Sequence, residues 1–109
     1  MQNSKKEIVI AKANFQPTGK ELCHLEYALL TVAGPEGEEL YAIRVDMRST
    51  CGILLEREES PGITGSLEDA TVMATAFANG SVPPYFLMDM VEEWDPEYYA
   101  ARKTSAVPL

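Results

Sequence analysis

Residues Leu40 to Arg48 read LYAIRVDMR, and two kinds of side chain alternate along this stretch. Large apolar side chains fall at every second position: Tyr41, Ile43, Val45 and Met47. Small or charged side chains fall between them: Ala42, Arg44, Asp46 and Arg48. Because successive side chains of a strand point to opposite faces, this period of two predicts a half-buried strand of an antiparallel sheet.

Two further strands are predicted before this one. Lys6 to Phe15 is rich in β-branched residues and ends at a turn cluster, Gln16-Pro17-Thr18-Gly19. Leu22 to Val32 also alternates, with His24 and Glu26 on one side. The residues expected on its other side are apolar: Cys23, Leu25, Tyr27 and Leu29.

A fourth strand is predicted from Ile53 to Glu58, after the turn Ser49-Thr50-Cys51-Gly52. Its apolar residues Ile53 and Leu55 are expected to point inward. With turns this short between consecutive strands, the simplest strand order is the meander 1-2-3-4.

Helices are predicted to follow the strands. Ser66 has the character of an N-cap, so the first helix is expected from Leu67 to Asn79, with Gly80 as its left-handed C-terminal residue. A second helix is expected to begin at Pro84, because a proline favours the first helical position. Apolar residues recur at helical spacing after it: Leu87, Met90, Val91 and Trp94.

The predicted fold is therefore α+β: a four-stranded antiparallel meander followed by two main helices packed on one face. Asp95 and Pro96 end the second helix and allow a short third one through Lys103. Residues 1–103 are expected to form one domain, and residues 104–109 a flexible tail.

The 19 residues from Ala70 to Met88 carry no charge. Gly80, Pro83 and Pro84 interrupt this stretch, so it is not expected to span a membrane. It holds more large apolar side chains than two helices over a small sheet need to bury, and surplus exposed apolar surface marks interfaces. Five of its residues are predicted to form a contact with a partner or a second copy: Met73, Phe77, Tyr85, Phe86 and Met88.

Charge argues against nucleic acid as a partner. The chain has nine Lys and Arg against 17 Asp and Glu, a net charge of −8 at pH 7. Phosphate binding requires a local excess of cations, and no basic run is longer than two residues.

The residues point to no catalytic, cofactor or metal site. His24 is the single histidine, and its neighbour Cys23 is expected on the opposite face of a strand, so the two do not act together. The acidic groups have no EF-hand spacing. The segment MQNSKKEIVI holds too few apolar residues for a signal-peptide core, so a reducing cytoplasm and free thiols at Cys23 and Cys51 are expected.

Residues 41–94 resemble a family of small proteins of unknown function from clostridia and related Firmicutes. That family shows a YGI-type strand, an I-x-G-I-S/T turn before a capped helix, and a V-T-P-x-x-L-x-D-V-V-E-D-W/Y ending. The matching residues here are Tyr41, Ile43, Gly62, Ile63, Ser66, Val82, Pro84, Leu87, Asp89, Val91, Glu92 and Trp94. The first helix of this chain departs from the pattern because it is nearly uncharged. The resemblance implies a fold and supplies no catalytic residue.

Two functions stay open at this level. The first is a non-catalytic interaction or regulatory module, self-associating or bound to a protein. The second is a small-molecule-binding protein or enzyme, with a cleft between sheet and helices lined by Tyr27, Tyr41 and Trp94.

Overall fold

A computed structural model describes residues 6–94 of the chain. These residues form one four-stranded antiparallel sheet, two α-helices and a short 3-10 helix. The elements are β1 (Glu7–Phe15), β2 (Cys23–Ala33), β3 (Glu39–Arg48), β4 (Leu54–Glu59), α1 (Leu67–Asn79), the 3-10 helix Pro84–Phe86 and α2 (Leu87–Glu93). The strand order is β1-β2-β3-β4, which confirms the meander and the α+β class. The third helix and the tail were predicted for residues outside the described range.

The helices cover one face of the sheet, and the main core lies between the two layers. In the sheet Tyr27 lies between Ala11 and Val45. Helix α1 packs over β1, β2 and β3, whereas the 3-10 helix packs over β3 and β4. The buried members of this core include Leu25, Leu29, Ile43, Met73, Phe77, Val82 and Leu87.

The two ends of α1 differ in how well they match the prediction. At the start, the Ser66 hydroxyl accepts a hydrogen bond from the Asp69 amide (3.1 Å), so the predicted N-cap is confirmed. At the end, Gly80 has φ −92° and is not left-handed; Ser81 is, with φ 51°. The reason is a Schellman motif: the Ser81 amide donates to Ala78 and the Val82 amide to Phe77. This places Val82 in the core.

The prediction for the fourth strand was wrong about its inward-facing residues. β4 is exposed along its whole length, and Ile53 and Leu55 are 63% and 52% exposed. The cause is its place at the edge of the sheet, outside the area that α1 covers. Pairing with β3 shifts by one residue between Leu54 and Glu56, so Leu55 lies in a bulge.

The prediction for β3 was right about alternation but wrong about solvent on the second face. Ile43 and Val45 lie in the helix-covered core, as expected. Arg44 and Asp46 on the opposite face are also buried. β3 is therefore buried on both faces over this span, and the second face is not a plain solvated surface.

Candidate functional site

The structure separates the five residues predicted to form an interface. Met73 and Phe77 are each 2% exposed and belong to the core, so they have no surface for a partner. Tyr85 and Phe86 are about half exposed, at 50% and 51%. Met88 is partly buried. Only part of the predicted set therefore lies on the surface.

Tyr85 and Phe86 belong to an exposed apolar surface at one corner of the molecule. We call this the apolar corner and define it by its four exposed side chains: Leu22, Leu55, Tyr85 and Phe86. An open pocket of about 460 Å³ lies there, lined by Leu22, Leu55 and Tyr85 together with the more buried Cys23 and Met47. We call it the corner pocket. It lies between the helix-covered face of the sheet and the 3-10 helix.

Local backbone chemistry holds the two aromatic rings at this corner. Pro83 is extended (φ −78°, ψ 166°) because the next residue is proline, and Pro84 then starts the 3-10 turn. The Tyr85 ring meets Phe15 edge-on, with centroids 6.4 Å apart. The Phe86 ring lies 5.0 Å from Tyr85. Turn geometry and ring contacts thus place both side chains before any partner arrives.

Charges on the rim of the apolar corner are mainly acidic. Glu21 and Lys20 line the corner pocket. Glu56 and Glu58 are exposed along β4, next to Leu55. They share the helix-side face of the sheet because their register partners are Met47 and Val45. The described lining of the pocket thus holds one carboxylate and one ammonium, and the two carboxylates of β4 add negative charge on the same face of the sheet.

The aromatic cleft of the alternative prediction is mostly filled. Tyr27 is fully buried, and its hydroxyl donates to the Val82 carbonyl at 2.7 Å. Burial raises the pKa of this hydroxyl well above its ordinary value. Trp94 packs edge-on against Phe77, with centroids 5.9 Å apart. Tyr41 is partly buried, and its amide bonds the Thr64 carbonyl. Tyr27 therefore has no free surface for a ligand.

The opposite face of the sheet carries a cluster of charges around Asp46, which is fully buried. Arg57 binds this carboxylate through two atoms, with Nε 2.7 Å from Oδ1 and Nη2 3.0 Å from Oδ2. The hydrogen bond to Asp46 raises the pKa of Arg57 further. Arg48 Nη2 lies 3.6 Å from Oδ2. Such bidentate pairing offsets part of the cost of burying a charge.

Arg44 is the buried arginine of this cluster. Its Nη1 pairs with the Glu7 carboxylate, and its Nε lies 3.3 Å from Asp46 Oδ1. No acceptor in the described part of the chain makes a hydrogen bond to that Nε–H, so its contact with Asp46 is an ion pair only. Arg44 is therefore held mainly by the two carboxylates.

The cysteines and the histidine lie as the sequence predicts. Cys23 is buried, Cys51 is exposed, and both are free thiols. His24 lies on the opposite face from Cys23 and pairs with Asn14, Nδ1 to Oδ1, at 2.9 Å. Within residues 6–94 no three His, Cys, Asp or Glu side chains gather closely enough to hold a metal ion.

Sequence reasoning missed two features of these surfaces. It did not separate Met73 and Phe77 from the exposed aromatics, although a signal existed. The buried residues of α1 follow helical spacing and predict one inward stripe: Ala70, Met73, Ala74, Phe77 and Ala78. It also missed the Asp46 cluster. The sequence shows charged residues at alternate positions of β3, but it does not show that they are buried.

Comparison with known proteins returned no match: no protein-family model, no curated protein and no solved structure is similar to this chain at a significant level. None of the helices between residues 6 and 94 could cross a membrane.

Proposed function

We propose that this protein is a non-catalytic interaction module that binds a protein partner through the apolar corner. The observation that carries the proposal is the pair of half-exposed rings, Tyr85 and Phe86, beside an open apolar pocket. Exposed apolar surface of this kind, with aromatic anchors beside a pocket, is typical of binding hot spots.

Burying the exposed parts of these two rings under an apolar side chain of the partner is energetically favourable. Covering the exposed half of one such ring removes on the order of 100 Å² from water, which is worth about 2.5 kcal/mol. Tyr85 already packs against Phe15 and Phe86 against Tyr85, and the proline turn fixes their backbone. Little side-chain entropy is lost when they bind, so more of that energy becomes affinity.

The rim charges indicate what flanks the anchor. Glu21 and Lys20 line the corner pocket, Glu56 and Glu58 are exposed on the helix-side face of β4, and the whole chain has a net charge of −8. We therefore propose a partner segment with an apolar side chain flanked by Lys or Arg. A second copy of this chain is a less favourable occupant, because the contact would bring together two chains that each carry a net charge of −8.

The test is selection from a random-peptide display library, followed by affinity measurement with the selected peptides. We expect peptides with an apolar residue next to basic ones. Phe86→Asp should abolish their binding, since it places a charge beside the anchor. Leu67→Asp is the matched control because Leu67 is also about half exposed but lies at the start of α1.

Three results would count against this proposal. Peptides that bind Phe86→Asp as well as wild type would show that the corner is not the site. Equal loss with Leu67→Asp would show a nonspecific effect of added charge. A homodimer in light scattering that dissociates on Phe86→Asp would instead assign the corner to self-association.

The second candidate function is binding of a small molecule in the corner pocket. Its volume of about 460 Å³ falls in the range of ligand sites, and it lies between the sheet and a helical segment, as the alternative prediction requires. Phe86 does not line this pocket. A compound found by a thermal-shift screen should therefore still bind Phe86→Asp, whereas a protein partner should not.

We propose a cytoplasmic location and membership in the clostridial family on narrower grounds. The two free thiols, Cys23 and Cys51, support a reducing compartment. Trapping thiols by alkylation in cells should find both reduced.

The proposed family membership rests on the motifs of residues 41–94. If it is right, the structure of a family member should show the same meander.

A further inference from the structure

A second pocket, of about 480 Å³, opens where the charged face of the sheet meets the β3–β4 turn. We call it the polar pocket. Strand register brings its side chains together, because Asn14 lies opposite His24 and His24 lies opposite Arg48. On the same face, two residues further along each strand, Lys12 lies opposite Glu26. Ser49 and Thr50 of the turn complete the wall.

The polar pocket concentrates basic groups in an acidic protein. Lys12, Arg48 and the single histidine, His24, all line it, although the chain has only nine Lys and Arg and a net charge of −8. Glu26 is the one acidic side chain among its described lining residues. A local excess of positive charge in such a chain favours an anionic ligand.

Arg48 is held in position from two sides. Its Nη1 donates to the Gly52 carbonyl at 3.2 Å, across the tight turn that closes beside the pocket. Its Nη2 lies 3.6 Å from the Asp46 carboxylate, which is fully buried and itself fixed by Arg57. A guanidinium held this way is already oriented for the oxygens of a carboxylate or phosphate and loses little entropy on binding.

Two further contacts set what else the ligand must carry. His24 is oriented by its bond to Asn14. Glu26 lies 4.0 Å from Lys12 Nζ, so its carboxylate is only partly balanced. A bare anion beside Glu26 would be repelled, whereas a ligand hydroxyl could donate to it. The Ser49 and Thr50 hydroxyls offer further partners for a hydroxylated ligand.

We propose that the polar pocket binds a small hydroxylated molecule through a phosphate or carboxylate group, with Arg48 and Lys12 on the oxyanion and Glu26 on a hydroxyl. Its charged residues lie on the other face of the sheet from the apolar corner, and Ser49 is the one described residue that lines both pockets. The volume of the polar pocket fits a molecule the size of a five-carbon sugar derivative.

The test is a titration followed by two-dimensional NMR of the full chain with three probes. D-ribose 5-phosphate and D-ribonate carry the two oxyanions, and neutral D-ribose is the control for the hydroxyls. We expect one or both anions, but not D-ribose, to shift in a saturable way the amides of Thr50 and Gly52, which line the polar pocket and not the corner pocket. The stronger probe then shows whether phosphate or carboxylate is preferred.

Three variants connect the shifts to the site. Arg48→Gln should weaken binding at least about tenfold. Because Arg48 also contacts Asp46, Lys12→Gln serves as the second variant. Lys12 is highly exposed, and its pair with Glu26 is long, at 4.0 Å, so this variant should fold normally and bind more weakly. Lys20→Gln is the matched control, with the same loss of one charge at the corner pocket, and should bind as wild type does.

The proposal is overturned if neither anion shifts the turn amides, or if D-ribose shifts them equally. It is also overturned if Lys20→Gln weakens binding as much as Lys12→Gln, since that would show general electrostatic attraction. Inorganic phosphate is added as a further probe, and if it bound as tightly as D-ribose 5-phosphate, the role given to Glu26 and the ligand hydroxyls would be overturned.

Discussion

The two faces of the sheet are both buried around β3, but they are buried by different means. On the helix-covered face Ile43 and Val45 pack against apolar side chains from α1. On the opposite face Arg44 and Asp46 are surrounded by charged partners from β1, β3 and β4. Apolar burial is favourable by itself and has no direction. Charged burial is tolerated only when each group finds its partner.

This difference separates what each face contributes. The apolar face supplies most of the stabilising energy, whereas the charged face depends on register: Asp46 meets Arg57 only when β3 and β4 pair as they do. A one-residue slip of β4 would turn Arg57 to the other face. The ion pairs of the charged face therefore fix the register of the edge strand β4. Substitutions on each face test this difference between apolar and charged burial.

The largest loss is expected on the apolar face. Phe77→Ala removes a fully packed ring and should lower the free energy of unfolding by about 4 kcal/mol. The matched control is Phe86→Ala, the same change at a half-exposed ring, which should cost less than about 1 kcal/mol. Urea denaturation measures both. Equal losses at the two sites would contradict the division into core and surface.

The second loss is expected on the charged face. Asp46→Asn keeps the shape but removes one of the two carboxylates seen paired with the buried Arg44 in the described part of the chain, so we expect a loss of about 3 kcal/mol. Asp89→Asn makes the same change at an exposed carboxylate of α2 and should alter stability by less than about 0.5 kcal/mol. If both variants were equally stable, the charged face would contribute nothing to the fold.

A smaller loss of stability is expected for the Tyr27 hydroxyl, a polar group buried in the apolar core. Tyr27→Phe removes the hydrogen bond to the Val82 carbonyl and should cost about 1 kcal/mol at neutral pH. Tyr85→Phe, at an exposed ring, is the control and should cost almost nothing. Chemical denaturation of the three proteins gives the comparison.

The stability difference between wild type and Tyr27→Phe is also expected to depend on pH. Burial raises the pKa of Tyr27 in the folded state above its unfolded value, so its contribution is complete below about pH 10 and declines at higher pH, where the unfolded chain loses the proton first. Tyr27→Phe lacks this decline. The unfolding free energies of wild type and Tyr27→Phe should therefore converge above about pH 10. A constant difference up to pH 11 would contradict the burial of this hydroxyl.

The smallest effect concerns the turn that brings Val82 to the apolar face. Ser81 occupies the left-handed region, which costs a residue with a side chain about 1–2 kcal/mol, so Ser81→Gly should stabilise the protein by about 0.5 kcal/mol after the added flexibility of glycine. Asn79→Gly, inside α1, should destabilise it by a few tenths. Thermal unfolding that gave both variants the same sign would argue against the Schellman motif.

Sequence predicted the apolar face well because its signal is periodic. Alternation in β2 and β3 gave the correct inward residues, and the Ser66 cap gave the correct start of α1. The run Ile53-Leu54-Leu55 has no alternation, and nothing in it shows that the strand lies at an edge. Its bulge at Leu55 is a property of pairing with β3, which a single strand's sequence does not contain.

The candidate sites were less predictable for a related reason. Tyr85 and Phe86 were expected on the surface together with Met73 and Phe77. The stretch from Ala70 to Met88 has no charged residues that would mark its solvent-facing side, so the side facing the sheet could not be identified. The polar pocket depends on Lys12, His24 and Arg48, which come from three strands. Their proximity follows from register, and register was not predicted at the level of single residues.

The meander has a consequence for how the chain folds. Each strand pairs with its neighbour in sequence, so the sheet can grow hairpin by hairpin with short loops to close. The bond from Tyr27 to Val82 instead spans 55 residues, and loop-closure entropy delays contacts of that kind. We therefore expect the hairpins to form before the helix layer docks, so that loss of the Tyr27–Val82 bond should speed unfolding more than it slows formation of the sheet.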